Sequence, residues 1–365
     1  MSEGKPFIKS GQLFDWVNAY DYCPQSECLF TEAMNESLHW HIMNSSIYKS
    51  FLSDSGLVSI KNKYLTEDIP PILADIFKEN RILSVPEKQI KYEIISGNKK
   101  DKRLILDAKS HKRLLKIYEN IFKSLELTDY KKKVNYICLT TDPKIDSNQN
   151  NNFYFNLFTS LTAHRSVYYA FKINNRTNDL NFNIEDCAKK IIDFSCHSEP
   201  VRIIGSAFFL SHVLNWLEEH QIFLKLDKES YCFILDNGED TNLLKSFETK
   251  VKEYSEKYLG IQKENFRKIF ILPEHGIPLV SCKKGELHIP IYYKAFVLEP
   301  EQLYPLLDGE SGILNLATPY LTSYPAISLI TNFKAVLNEN CSCGLAGKTV
   351  RILDYYDSHR NDSFL

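Results

Sequence analysis

The sequence predicts an α/β protein, with a largely parallel sheet flanked by helices and then a smaller antiparallel sheet. Three observations predict it. From Val201 onward, short β-rich runs alternate with helical patterns, the rhythm of crossover units. Beyond Pro278 strand-like runs follow one another across tight turns with no helix between them. The chain has 365 residues, 44% hydrophobic and 25% charged, so a core can be buried without disulfides or a metal as its main support.

In chain order, apolar spacing predicts helices near Leu13–Tyr22 and Thr31–Leu52. Asp68-Ile69-Pro70-Pro71 and Val85-Pro86 then mark turns, because a residue before proline is pushed out of the helical region. A helix is expected from Ser110 to Leu125 and a buried strand over Val134–Thr140; the polar tract Asp142–Asn152 reads as an exposed loop. Strand Val201–Gly205, helix Phe208–His220, strand Tyr231–Asp236, helix Asn242–Tyr258 and strand Lys268–Leu272 make up the crossover series. Ile291–Leu298, Gly312–Thr318, Ala326–Thr331 and Thr349–Leu353 are the strands of the second sheet. The expected organisation is a body over 1–277 with a β-rich part over 278–365 packed on it, without a linker and without an internal repeat.

The net charge of −2 excludes a broad basic field for nucleic acid, and the lysine runs Lys99–Arg103 and Lys131–Lys133 are short enough to be solvated surface. No run approaches the ~18 apolar residues a membrane span requires. Met1–Ile8 has no apolar secretory segment. Nine cysteines, an odd number, argue against a complete disulfide framework. Reduced thiols in the cytoplasm are the expectation.

Several chemistries find no support. Gly205-Ser206-Ala207 lacks the second glycine of a nucleophile elbow, and there is no Walker loop or dinucleotide fingerprint. His39 and His41 point to different faces of a helix, and with Cys23 and Cys28 they read as ordinary packing. A better signal is Cys282-x5-His288, followed by Cys341-Ser342-Cys343-Gly344. Zinc takes four soft or borderline donors at tetrahedral corners, and two separated pairs supply them, with Gly344 permitting the tight turn. Such a zinc would be structural, since every position is filled. The alternative is that Cys282 is a small buried hydrophobe and that Cys341 and Cys343 lie in a loop.

Gly309-Glu310-Ser311-Gly312, Ser323-Tyr324-Pro325-Ala326 and Thr331-Asn332 add a further pattern. It resembles the LuxE-type acyl-protein synthetases and the related phenylacetate-CoA ligase-like enzymes, which are adenylate-forming ligases. Glu67–Pro71 and Phe77 to Pro86 resemble that family's approach to its phosphate loop, and Ile203–Phe209 its central Gly-x-Pro-Phe-Phe strand and helix. His288-Ile289-Pro290 and the Cys-x-Cys-Gly turn also recur in relatives, some of which hold zinc with such residues. The similarity runs from about Leu38 to Leu353.

The resemblance implies an adenylate-forming ligase fold, with ATP and Mg²⁺ as cofactors and Zn as a structural metal. A carboxylate would attack the α-phosphate of ATP, and the acyl-adenylate would pass to a thiol. Ser96, Gly97 and Lys99 would meet the phosphates, Gly238 the adenine, Asn332 the ribose and Glu274 the Mg²⁺. The match departs from the family at each of these places. The phosphate loop Ile95–Asp101 keeps one glycine and no threonine. Only Gly238 survives of the glycine-rich strand end in Leu235–Glu239, Pro273 replaces the threonine before Glu274, and Asn332 replaces an aspartate. An amide loses the stronger charge-assisted bonds.

The superfamily's mobile C-terminal lobe with its catalytic lysine is expected to be missing, and Asp354–Leu365 holds neither Cys nor Lys. The acceptor would then be an external thiol, coenzyme A or the phosphopantetheine of an acyl carrier protein. Each lost contact would cost about 1–3 kcal/mol. Two functions follow: a ligase for a carboxylic acid, or a degenerate ligase fold kept as a stabilising or scaffold partner of a biosynthetic enzyme or carrier protein.

Overall fold

The computed structural model describes residues 7–57, 63–96, 102–143, 150–173, 180–236, 241–339 and 341–355. It divides into two compact units. One comprises Met1–Leu125, Leu272–Pro278 and His288–Leu365; the other comprises Glu126–Ile271 and Leu279–Leu287.

The second unit carries a seven-stranded sheet. Its order is Pro278–Val280, Phe266–Ile271, Tyr231–Asp236, Val201–Gly205, Asp129–Thr141, Thr162–Ile173 and Leu180–Phe182. The four pairings from Phe266–Ile271 to Thr162–Ile173 are parallel, and the short strand Leu180–Phe182 adds an antiparallel edge. Val201–Gly205 is buried at every residue, as a central parallel strand covered on both faces requires. The helices Ile184–Ser195, Ala207–Glu219 and Thr241–Leu259 supply the crossovers. Ile191, Leu210, Val213, Leu214 and Val251 bury their side chains in this unit's apolar core.

Where the strand meets the next helix, Gly205 has φ +150°, and a Cβ there would lie 2.5 Å from Leu139 Cβ. Ser206 then caps the helix, its hydroxyl accepting from Phe208 N. Only glycine fits this corner.

The first unit holds the second sheet, ordered Leu287–His288, Thr349–Tyr355, Ser328–Asn338, Ser311–Ala317 and Lys294–Leu298, with Ile72–Leu73 added in parallel to Ser328–Asn338. The last three pairings along this path are antiparallel. A two-stranded ribbon, Ile90–Ser96 with Lys102–Asp107, stands apart.

Local chemistry moves two of the expected helices. The first spans Ile8–Asp15 rather than Leu13–Tyr22. Trp16 leaves the helical region, and its carbonyl accepts from Asn120 Nδ2 at 3.1 Å and from the Tyr292 hydroxyl at 2.5 Å. Ala19 and Tyr20 are thus buried by tertiary contact, and their spacing imitates helical periodicity. The expected helix Thr31–Leu52 is two helices, Pro24–Asn44 and Ser46–Asp54. Pro24 opens the first, where its missing N–H costs nothing. Ser45 breaks the run in an extended conformation, its hydroxyl accepting from Tyr48 N. The strand expected over Ile291–Leu298 starts only at Lys294, because Tyr293 N bonds Pro290 O in a turn. Residues 144–149 of the expected loop lie outside the described residues. No helix among the described residues is long and apolar enough to cross a membrane, and all nine cysteines are free of disulfides.

The glycine corner gives a direct test. Gly205→Ala should lower the urea midpoint of unfolding by the equivalent of about 2–3 kcal/mol, through overpacking and a strained φ. Gly11→Ala, in the helix Ile8–Asp15 with nothing within 4 Å of the new Cβ, should raise it by about 0.5–1 kcal/mol. Circular dichroism during denaturation reads both, and an unchanged midpoint for Gly205→Ala contradicts the corner's role.

Candidate functional site

Glu274 and His275 sit in the segment Leu272–Pro278 of the first unit. His275 N and Gly276 N both bond Leu272 O, at 3.0 and 2.8 Å, which closes a tight turn. Both residues are buried. Burial pushes the His275 imidazole down to about 3, so it is neutral and has one donor and one acceptor nitrogen. Nε2 lies 2.7 Å from Ala326 O, which can only accept, so Nε2 carries the proton. Nδ1 therefore accepts from the Tyr293 hydroxyl at 2.6 Å. The Tyr324 hydroxyl donates to Glu274 O, and the Tyr320 hydroxyl donates to His275 O. The Ser323–Ala326 segment thus serves to fix this turn.

With its carbonyl bonded, Glu274 still has one buried carboxylate oxygen, Oε2, without a hydrogen-bond partner. The side chain is 2% exposed, and burial pushes its carboxyl up to about 7, against the opposing pull of the Lys102 and Lys78 charges; Asp75 pushes it in the same direction as burial. Lys102 is buried, with Nζ 5.1 Å from the Tyr355 ring centre and 5.9 Å from that of Phe333. Next to Phe333, Asn332 Nδ2 donates to the two oxygens of Asp75 at 3.2 and 3.4 Å, and Lys78 pairs with Asp75 at 2.8 Å. Glu274 and Asn332, 58 residues apart in sequence, are thus both linked to Asp75, the amide by hydrogen bonds and the buried carboxyl through its charge.

Ser96 is the last residue of the strand Ile90–Ser96 and faces Lys102 in the ladder register. Gly97, Lys99 and Gly238 lie outside the described residues. Asp75, Lys78 and Lys102 are the members that sequence reasoning missed. Lys102 gave a signal, as a lysine opening a strand of apolar residues, but it read as part of a basic surface run. Asp75 gave none, because its partner Asn332 lies 257 residues away.

The four metal-type residues converge. The ligand atoms of Cys282, His288, Cys341 and Cys343 all lie within 4.8 Å of one another. His288 Nε2 is 3.2 Å from Cys343 Sγ. Around a zinc with bonds near 2.3 Å, tetrahedral edges are about 3.8 Å, so small side-chain rotations would close the shell. Two backbone donors serve the sulfurs: Lys284 N lies 3.3 Å from Cys282 Sγ, and Leu345 N lies 3.4 Å from Cys343 Sγ. Gly344 has φ +89°, the conformation its turn demands. Three sulfurs and one imidazole form a donor set that could hold a metal ion.

The buried carboxyl makes stability depend on pH. Its contribution is fully present below 4.5, where both folded and unfolded states hold the proton, and is lost as pH rises to about 7. Glu274→Gln keeps the site neutral at every pH. The stability of that variant relative to wild type should therefore grow, by on the order of 3 kcal/mol, between pH 4.5 and pH above 7 in Mg²⁺-free buffer. Urea titrations of both proteins across this range measure it, and parallel pH profiles would refute the buried, proton-holding carboxyl.

The family profile described as "Acyl-protein synthetase, LuxE" matches residues 8–361. No curated protein matches the chain significantly in sequence. Among solved structures, a 2-hydroxyisobutyryl-CoA ligase in an open conformation with 2-HIB-AMP and CoA is similar at TM-score 0.70 and 10% identity, covering 93% of this chain and 77% of that one. The same ligase in its postadenylation state gives TM-score 0.68 and 9% identity, over 91% and 67%. A long-chain-fatty-acid-CoA ligase from Archaeoglobus fulgidus gives TM-score 0.52 and 11% identity, over 76% of this chain and 53% of its own. At such identities the likeness is one of fold, that of the adenylate-forming ligases. With the sequence profile matching nearly end to end, the chain belongs to the LuxE acyl-protein synthetase family.

Proposed function

We propose that the protein activates a carboxylic acid with ATP and Mg²⁺ and passes the acyl group to an external thiol, that of coenzyme A or of an acyl carrier protein's phosphopantetheine. A carboxylate oxygen attacks the α-phosphorus and pyrophosphate leaves; the thiol sulfur then attacks the acyl carbon and AMP leaves. The observation that carries this reading is Glu274: a carboxylate oxygen buried without a partner, in one neighbourhood with Asn332, Asp75, Lys78 and Lys102. A hard divalent cation is what satisfies such an oxygen. Mg²⁺ held there would neutralise charge on the phosphates. Ser96, Gly97 and Lys99 would cradle those phosphates, Gly238 would meet the adenine and Asn332 the ribose.

The solved neighbours support the substrate classes, since one was captured with an acyl-AMP and CoA together. The acid, the carrier and any protein partner in a biosynthetic pathway belong to the same proposal, as does a place in the cytoplasm. The substitutions at Pro273 and Asn332 favour a second reading, a binding module for a biosynthetic enzyme or carrier protein that has given up nucleotide chemistry. Zinc is our assignment for the Cys282, His288, Cys341 and Cys343 cluster, where it would hold two turns of the chain together.

Two measurements decide these readings. Calorimetric titration with ATP·Mg²⁺ should show saturable binding that weakens in Glu274→Gln; no heat at millimolar nucleotide overturns the ligase reading in favour of the binding module. Elemental analysis of the purified protein should find stoichiometric zinc, lost in Cys343→Ser together with a fall in melting temperature. Protein that folds normally with no bound metal removes the zinc assignment.

A further inference from the structure

The outer strand of the six-stranded sheet is only partly covered. Lys294–Leu298 ends the sheet, pairing with Ser311–Ala317 on one side and with no strand on the other. Toward its end the chain covers this edge itself. Leu306 N bonds Val297 O at 2.7 Å, Glu299 N bonds Tyr304 O at 2.9 Å, and Leu298 bridges Pro305 in antiparallel register. At Leu307 the segment leaves the edge, its N–H donating to Glu310 Oε2 at 2.9 Å. Antiparallel pairing turns the backbone groups of every second residue outward. Val297 O points outward to Leu306, so the N–H and C=O of Ala295 on the same strand point outward as well. Among the described residues no group bonds them on that side.

Ala295 lines a cavity of about 470 Å³ that lies within the first unit. Ile289, Val297, Leu306 and Leu337 give this cavity apolar walls. Two of its lysines are already neutralised, Lys294 by Glu27 at 2.9 Å and Lys348 by Asp308 at 2.6 Å. Glu339, also on the lining, is exposed and has no ion pair among the described residues. The charge left uncompensated there is therefore negative. A ligand that suits this place offers an N–H and a C=O at strand spacing, an apolar side chain and a cation. An extended peptide with a lysine or arginine among apolar residues has all of these. The chain's own Tyr304–Leu306 shows that the edge accepts an extended segment.

We propose that the open length of this edge, at Ala295, is a docking site for an extended, basic and apolar peptide segment of a partner protein, which adds to the sheet as a further strand. One peptide residue exchanges both backbone bonds with Ala295, an apolar side chain enters the cavity, and a basic one meets Glu339. The site is independent of the nucleotide reading, which concerns Glu274 and Asn332.

The test selects phage-displayed random heptapeptides on the wild-type protein and measures the enriched peptides by fluorescence anisotropy. Enriched sequences should combine apolar residues with lysine or arginine. Ala295→Pro removes the outward N–H and keeps the pairing with Ser311–Ala317, since an edge strand tolerates proline where the N–H faces away from the ladder. It should weaken the peptides by about 10-fold or more, the loss of one or two backbone hydrogen bonds. Ala295→Ser, which keeps the N–H, should bind as wild type does. Glu339→Lys should weaken them by about 3- to 10-fold. Circular dichroism checks folding, and peptides N-methylated at the paired residue, which should lose binding to wild type, carry the same test if Ala295→Pro does not fold. Absence of enrichment, or enriched peptides indifferent to both Ala295→Pro and N-methylation, overturns the docking site. Indifference to Glu339→Lys overturns the basic character of the peptide. Self-association of wild type in sedimentation, abolished by Ala295→Pro, would assign the edge to a second copy of the chain and overturn the partner.

Discussion

Glu274 can stay buried because the turn that carries it leaves no backbone debt. A carboxyl taken out of water destabilises a fold unless its surroundings are otherwise complete. Here Tyr324 satisfies the carbonyl of Glu274, Tyr320 that of His275, and the neutral imidazole connects Ala326 O to the Tyr293 hydroxyl. All of these partners lie in or beside the second sheet, so the sheet's register determines where the turn can sit. With both carbonyls and the imidazole bonded, the buried carboxylate oxygen Glu274 Oε2 is left without a hydrogen-bond partner. The unsatisfied buried atom is an expected sign of function, since ordinary cores rarely tolerate one.

The Cys and His cluster obeys a related constraint. Zinc displaces the thiol protons as it binds, and the sulfur charge that results is stabilised by nearby N–H donors. The chain places Lys284 N and Leu345 N on two sulfurs by forming turns whose glycines, Gly285 and Gly344, take positive φ. Around them the packing is close. Tyr22 donates to Ile289 O at 2.8 Å, and its ring fills the space where a Cβ on Gly347 would stand, 2.2 Å away. Tyr20 meets the His288 ring edge-on at 5.8 Å. The His288 ring is thus held by neighbours before any ion binds.

How much of this was legible depended on how local each cause was. Val201–Gly205, Tyr231–Asp236 and the helices after them are written in neighbouring residues: β-branched runs, a glycine at the corner, a serine cap. The strands beginning at Ser311, Ser328 and Thr349 were legible for the same reason. The break at Ser45 was not, because serine reads equally well inside a polar helix face. Nor was the path from Trp16 to Tyr20, where apolar residues are buried by Asn120, Ser124 and Tyr292 rather than by a helix. Of the candidate site, Glu274 and the Cys and His residues could be named from motif and spacing. Asp75, Lys78 and Lys102 could not, since their meaning is fixed by tertiary proximity.

That difference bears on how a degenerate motif should be read. Against the pattern that the resemblance sets, Pro273 stands where a threonine is expected and Asn332 where a carboxylate is, and such losses would accumulate toward an inactive protein. Binding energy, however, depends on which atoms surround a ligand and not on which position supplied them. The sheet pairs Ile72–Leu73 with the strand of Asn332, and this brings the Asp75 carboxylate 3.2 Å from the Asn332 amide. Lys102 is likewise buried, and its charge acts on Glu274. A substitution at one strand position and a charge on the facing turn are coupled terms, whose effects need not add. Counting missing motif residues therefore overstates the deficit wherever the fold allows a neighbour to supply the same atom.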